Sequence, residues 1–169
     1  MKLGEIFIQN GILTESQLAD ALHAQLIYGG HLGTCLVELG YVDEDQLGNV
    51  LSEVFHVPYA SKDRLLQIPR SVIQSVPVKL VEKLNVIPFE RRAKELWVAM
   101  VDPTDLPAID EIAFATGCKV RPWVTPEVRI AQLMERYYGV RRGLRYISVC
   151  NELDRAGQST GPRADMAVS

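Results

Sequence analysis

Along residues 2–54 the apolar positions recur at spacings of three, four and seven, as they do on amphipathic helices. Leu3, Ile6, Phe7 and Ile8 form a first short stripe, which stops at Asn10-Gly11, the usual chemistry of a helix end that needs a left-handed residue. Thr14 and Gln17 stand at the spacing of a capping box, in which each side chain satisfies the other residue's backbone N–H. The helix after them carries Leu18, Ala21, Leu22 and Gln25 on one face, and Gly29-Gly30 breaks the chain. Leu32, Leu36, Val37 and Leu39 then repeat the first stripe, Gly40 the stop, Asp43 and Gln46 the capping box, and Leu47, Val50, Leu51 and Val54 the second helix face. The pattern predicts four short helices arranged as two helix–turn–helix units.

The two halves of this stretch are one unit written twice. Lys2 to Gln25 and His31 to Val54 are both 24 residues long, with the five residues Leu26 to Gly30 between them. Leu3, Gly4, Gly11, Glu15, Gln17, Leu18 and Leu22 recur as Leu32, Gly33, Gly40, Glu44, Gln46, Leu47 and Leu51. A short tandem repeat builds two similar surfaces side by side. Such a pair suits a ligand with two similar halves, and equally a duplicated helical scaffold.

After Val54 the pattern changes. Prolines at 58, 69 and 77 mark a connector with one or two short helices, Ser71–Gln74 and Val78–Lys83. Val86–Phe89 and Leu96–Val101 read as strands joined by the polar turn Glu90–Lys94. Thr104 or Asp105 caps a helix running to about Thr116, with Pro107 in its permissive first turn and Gly117 at its end. Val120–Val124 is a third strand. Thr125 caps a last helix from Pro126 to about Tyr138, with Ile130, Leu133, Met134 and Tyr137 facing inward. The fold class is α+β, an all-helical tandem subdomain over residues 1–54 followed by a small three-stranded β-β-α-β-α subdomain over 55–140. Residues 141–169 read as a basic, flexible tail or linker.

Charge narrows the partners. The chain's net charge is −3, but residues 1–54 alone hold one lysine against eight acids. Duplex nucleic acid needs a basic face and is a poor partner for such a segment. No apolar run approaches the roughly 20 residues of a membrane span, and no secretory signal is visible. Cys35, Cys118 and Cys150 are scattered and odd in number, which argues against a disulfide framework. His23, His31 and His56 show no metal-ligand spacing. There is no GxxxxGK[ST] phosphate loop, GxSxG elbow, HExxH pair or GxGxxG fingerprint. The acids Asp102, Asp105, Asp110 and Glu111 read as a strand-end turn and a helix N-terminus rather than an acid/base centre. Arg91, Arg92 and Lys94 read as a solvated hairpin tip, and Trp97 and Trp123 as packing residues. The chain is expected to be no enzyme and to need no cofactor.

Each copy of the repeat resembles the motif RLGxx[LVI][LVI]xxG[LVI][LVI]xxxxLxxxLxxQ of the MshEN domain, the N-terminal module of type II secretion and type IV pilus assembly ATPases. The spacing agrees in both copies and in the spacer, and DPTDLPAIDEIAFATG and MERYYG resemble the family's second subdomain. The resemblance implies a cytoplasmic module, peripheral at the inner membrane through a partner, that binds one cyclic di-GMP across both copies. Carried over position by position, the site is Lys2, Leu3, Gly4, Ile8, Leu18, Leu22 and Gln25 from the first copy, and His31, Leu32, Gly33, Val37, Leu47 and Leu51 from the second. The leucines would pack on guanine and ribose, the glycines would let backbone amides approach phosphate, and Gln25 would meet a base edge.

The departures fall on the polar positions. The family's leading arginine is Lys2 in one copy and His31 in the other, and its closing glutamine is Gln25 in the first copy but Val54 in the second. Arginine grips phosphate or guanine with a planar fork, whereas lysine offers a point charge. Two readings follow. In one, the module binds cyclic di-GMP, with the second copy the weaker half. In the other, it is a docking module with a degenerate nucleotide site, linking a secretion or pilus ATPase to an inner-membrane assembly protein.

Overall fold

The computed structural model describes residues 3–140. Helix α1 (Leu3–Gln9) ends where Gly11 takes a φ of 72°. Helix α2 (Glu15–Tyr28) starts on the complete Thr14/Gln17 capping box and ends at Gly29. Helices α3 (Leu32–Glu38) and α4 (Glu44–Phe55) repeat the pair, with the Asp43/Gln46 box again complete. The two copies interlock, because α1 packs on α4 and α2 on α3. Phe7, Leu13, Ala21, Leu36, Val37, Val42, Leu47 and Val50 fill the space between them. Cys35 is buried in α3, as a small apolar residue should be.

The predicted faces are not equally spent. In α4, Leu47 and Val50 are fully buried. In α2 only Ala21 is, and Leu22, Leu26, Ile27 and Tyr28 remain exposed. An apolar helix end left in water is uncommon without a use.

A second core lies under the sheet. The connector folds as α5 (Lys62–Leu65), α6 (Arg70–Ile73) and α7 (Val78–Leu84), one short helix more than the sequence suggests. Strands β1 (Val86–Arg92) and β2 (Glu95–Met100) pair antiparallel, and β3 (Lys119–Val124) pairs parallel to β2 across helix α8 (Leu106–Thr116). The expected polar turn Glu90–Lys94 is shorter than predicted. The strand runs on through Arg92, and Ala93 and Lys94 alone make the hairpin, Ala93 at a φ of 51°. The register slips between Pro88 and Glu90, where proline has no N–H for the ladder.

Helix α9 (Glu127–Tyr138) closes the layer. Its cap also differs from expectation. Pro126 holds the N-cap position with no side-chain bond, and the Thr125 hydroxyl donates instead to the Ala60 carbonyl at 3.0 Å. That bond belongs to a seam in which Ala60 and Pro58 bond both backbone groups of Val124, so the connector covers the free edge of β3. Tyr137 and Tyr138 donate to carbonyls of Leu65, Leu66 and Ile73, tying α9 back to α5 and α6. Asp105 caps α8 as predicted. On the outer sheet face, Trp97 and Trp123 stack at 5.5 Å and Arg64 lies over both rings. Among the described residues no helix is long and apolar enough to cross a membrane.

Candidate ligand site

The interlocked repeat positions its candidate residues in matched pairs. A Cβ built on Gly4 would stand 2.6 Å from a methyl of Leu18, and one on Gly33 would stand 2.8 Å from the equivalent methyl of Leu47. Each helix pair therefore closes by seating a leucine on a glycine. The side of both glycines that lacks a Cβ faces that leucine, so their first role is packing.

The other candidates divide into floor and rim. Val37 and Leu47 are 2% exposed and form the floor, inside the core. Leu3, Ile8, Leu18, Leu32 and Leu51 are half-buried. Leu22 is 44% exposed and continues into the open apolar end of α2. Gln25 donates its side-chain amide to the Gly30 carbonyl at 3.1 Å, which steadies the spacer. Lys2 lies outside the described residues, as does the predicted tail 141–169.

His31 is the N-cap residue of α3 and makes no cap bond there. Its Nε2 reaches across to the second subdomain, 2.9 Å from Oε2 of Glu127 in the first turn of α9. The other carboxylate oxygen of Glu127 accepts from the buried Thr34 hydroxyl at 3.4 Å. Two residues further on, Arg129 pairs with Glu44 out of solvent. Tyr59 of the connector lays its ring on Gly48 of α4 and donates its hydroxyl to Asp45 at 2.9 Å. Burial first, and then the negative charge of Glu44, holds the Tyr59 hydroxyl well above its ordinary range.

These contacts mark where the two copies differ in burial. Thr34, Glu44, Asp45 and Gly48 occupy the repeat positions of Glu5, Glu15, Ser16 and Ala19. Glu5, Glu15, Ser16 and Ala19 are all exposed, while Thr34, Glu44 and Gly48 are buried against the second subdomain. The second copy is thus the docking copy. Sequence reasoning missed Glu127, Arg129, Thr34 and Tyr59. For Thr34 the available signal was its disagreement with Glu5 of the first copy; Glu127, Arg129 and Tyr59 lie outside the repeat and carried no such signal.

Comparison with known proteins finds likenesses in type IV pilus and type II secretion proteins. The family model described as the MshEN domain matches residues 55–144, the half that follows the repeat. The chain is 35% identical over 138 residues to the type IV pilus assembly ATPase PilB of Myxococcus xanthus, matching 81% of this chain and 24% of that protein. It is 27% identical over 146 residues to type II secretion system protein E of Xanthomonas campestris, matching 83% of this chain and 25% of that protein. It therefore spans about a quarter of the length of these relatives. A solved structure of MshE with cdg superposes with a TM-score of 0.61 at 29% identity, covering 82% of this chain and 99% of that one. That coverage is more than the second half can supply, so the helical repeat shares in the likeness.

Proposed function

Because this chain belongs to the MshEN domain family, whose model spans more than half of it, we propose that it is a regulatory module that binds cyclic di-GMP. It has no catalysis of its own and serves a type II secretion or type IV pilus system. The observation that carries this reading is the matched pair of leucine-on-glycine closures, Leu18 on Gly4 and Leu47 on Gly33. They build the same closure into each interlocked copy and leave an apolar rim on each, in a fold like that of MshE with cdg. A two-fold dinucleotide has two guanines to lay on two such rims. Leu3, Ile8, Leu18, Leu22, Leu32 and Leu51 supply apolar surface for base and ribose faces. Gln25 supplies donors and an acceptor for a base edge, and Lys2 and His31 supply donors for phosphate.

Calorimetric titration with cyclic di-GMP tests the reading. Leu22 is exposed enough that Leu22→Asp spoils the rim without emptying the core, so this variant should fold and lose the heat of binding. Leu51→Asp, from the second rim, should also lose the heat of binding, with circular dichroism checking its fold because Leu51 packs on the repeat core. No heat and no thermal shift for the unmodified chain at high ligand would overturn the proposal.

A second reading rests on a separate observation. The side chain of His31 is already engaged by Glu127, and Val54 stands in place of the second glutamine. A module of this kind would dock a secretion or pilus ATPase, or an inner-membrane assembly protein, whether or not the nucleotide is present. Partner capture that ignores cyclic di-GMP would favour it.

A further inference from the structure

One polar group at the rim comes from outside the repeat. Glu127 belongs to α9, in the other subdomain, yet its carboxylate meets the one polar rim residue that the second copy retains. The side chain of Glu127 is 18% exposed and that of His31 is 65% exposed. The carboxylate is the fixed partner, held from below by the Thr34 hydroxyl, and the imidazole is the one that can turn.

We propose that Glu127 is a resident counter-anion of the cyclic dinucleotide site. It holds His31 while the site is empty and yields it to a phosphate when the ligand enters. This rests on the reading above that the ligand is a dianion. The chemistry is a competition. The Nε2 proton of an imidazole serves one acceptor, so a phosphate bonded there must replace the carboxylate. A phosphate arriving beside Glu127 also meets a like charge, so the carboxylate opposes the ligand. Ligand entry therefore turns His31 away from α9, and the first turn of that helix loses its tie to α3. Arg129, anchored on Glu44 of α4, keeps the helix in place while this happens. By linkage, whatever pulls Glu127 from His31 tightens the ligand, and the ligand weakens that contact in return. Occupancy of the repeat is thus read by the second subdomain at a single carboxylate.

The experiment is calorimetric titration of the chain with cyclic di-GMP, comparing Glu127→Gln with the unmodified protein. Glutamine keeps the shape and an acceptor for Thr34 but removes the charge, so binding should tighten by about threefold or more. In a His31→Ala background, Glu127→Gln should gain clearly less, because the competition has been removed. Equal gains in both backgrounds, or no gain in the first, overturn the inference while leaving the binding reading intact. If neither the unmodified chain nor Glu127→Gln binds, both fall together. The unmodified chain gives an independent readout. The imidazole nitrogen resonances of His31 should shift on adding ligand, and resonances that stay fixed in a chain that binds would also overturn the inference.

Discussion

Nε of Arg129 lies 2.6 Å from Oε1 and 3.1 Å from Oε2 of Glu44, and the two side chains are only 2% and 9% exposed. This buried pair joins the first turn of α4 to the first turn of α9, and so joins the repeat to the sheet layer. Removing one partner leaves the other charge in a dry interface without its principal counter-ion, at a cost of about 3–5 kcal/mol. Glu44→Ala and Arg129→Ala should each lower the unfolding free energy obtained from urea melts by that amount. Replacing both, as in Glu44→Leu with Arg129→Met, should recover most of the loss, because apolar side chains of similar volume carry no desolvation cost. A double variant as unstable as the singles would mean that the pair does more than satisfy itself.

Gly48 and Gly4 make a second test, since both are helical glycines in close contact with another element. A Cβ on Gly48 would stand 2.2 Å from the ring of Tyr59, whereas one on Gly4 meets the end of a leucine side chain that can swing aside. Alanine gains about 1 kcal/mol over glycine in a helix interior. Gly4→Ala should therefore be near neutral. Gly48→Ala should lose about 1–3 kcal/mol through overpacking against a ring pinned by Asp45. Chemical denaturation measures both, and Tyr59→Leu should rescue Gly48→Ala.

Two tyrosines set the alkaline limit. Burial raises the Tyr59 hydroxyl above its ordinary 10.0, with the charge of Glu44 and the bond to Asp45 adding to the effect. Burial alone raises that of Tyr138. Each group titrates higher in the folded chain than in the unfolded one, so the folded form holds more protons at high pH. Their contribution is complete below pH 10.0 and is lost as pH rises from there towards the folded values. Stability measured by urea melts should fall across that window. Tyr138→Phe, which cannot ionise, should flatten the fall, and an unchanged slope would refute this assignment.

How far these features could be read from the chain depended on the range of the interaction. Thr14 with Gln17 and Asp43 with Gln46 are three residues apart, so both capping boxes were legible as spacing and both are present. The β-β-α-β-α order followed from the change of period after Asn85. Arg129 shows the other case. It lies 85 residues from Glu44, on a helix whose amphipathic pattern gives a cation no reason to be inside. Thr125 shows the same limit on a smaller scale. It stands where a capping residue should, but a carbonyl 65 residues away takes its hydroxyl, and Pro126 supplies the cap position by its backbone alone. For the candidate site the leucine scaffold was legible and its depth was not. Val37 and Leu47 match rim positions in the motif yet belong to the floor, because the copies interlock rather than lie side by side.

His31→Arg is the substitution that the repeat and the structure judge together. The family motif has arginine at this position, and in this chain an imidazole there is shared with Glu127. Histidine brings one Nε2 proton to that contact. A guanidinium brings five donors in a planar fork, enough to pair with the carboxylate on one edge and a phosphate on the other. The arginine variant should therefore bind cyclic di-GMP more tightly, by about tenfold, the worth of roughly 1.4 kcal/mol. Glu127→Gln should then add less to it than to the unmodified chain, since the two anions no longer compete for one donor. Titration of the four chains forms a closed cycle. Weaker binding by His31→Arg would mean that residue 31 does not face the ligand.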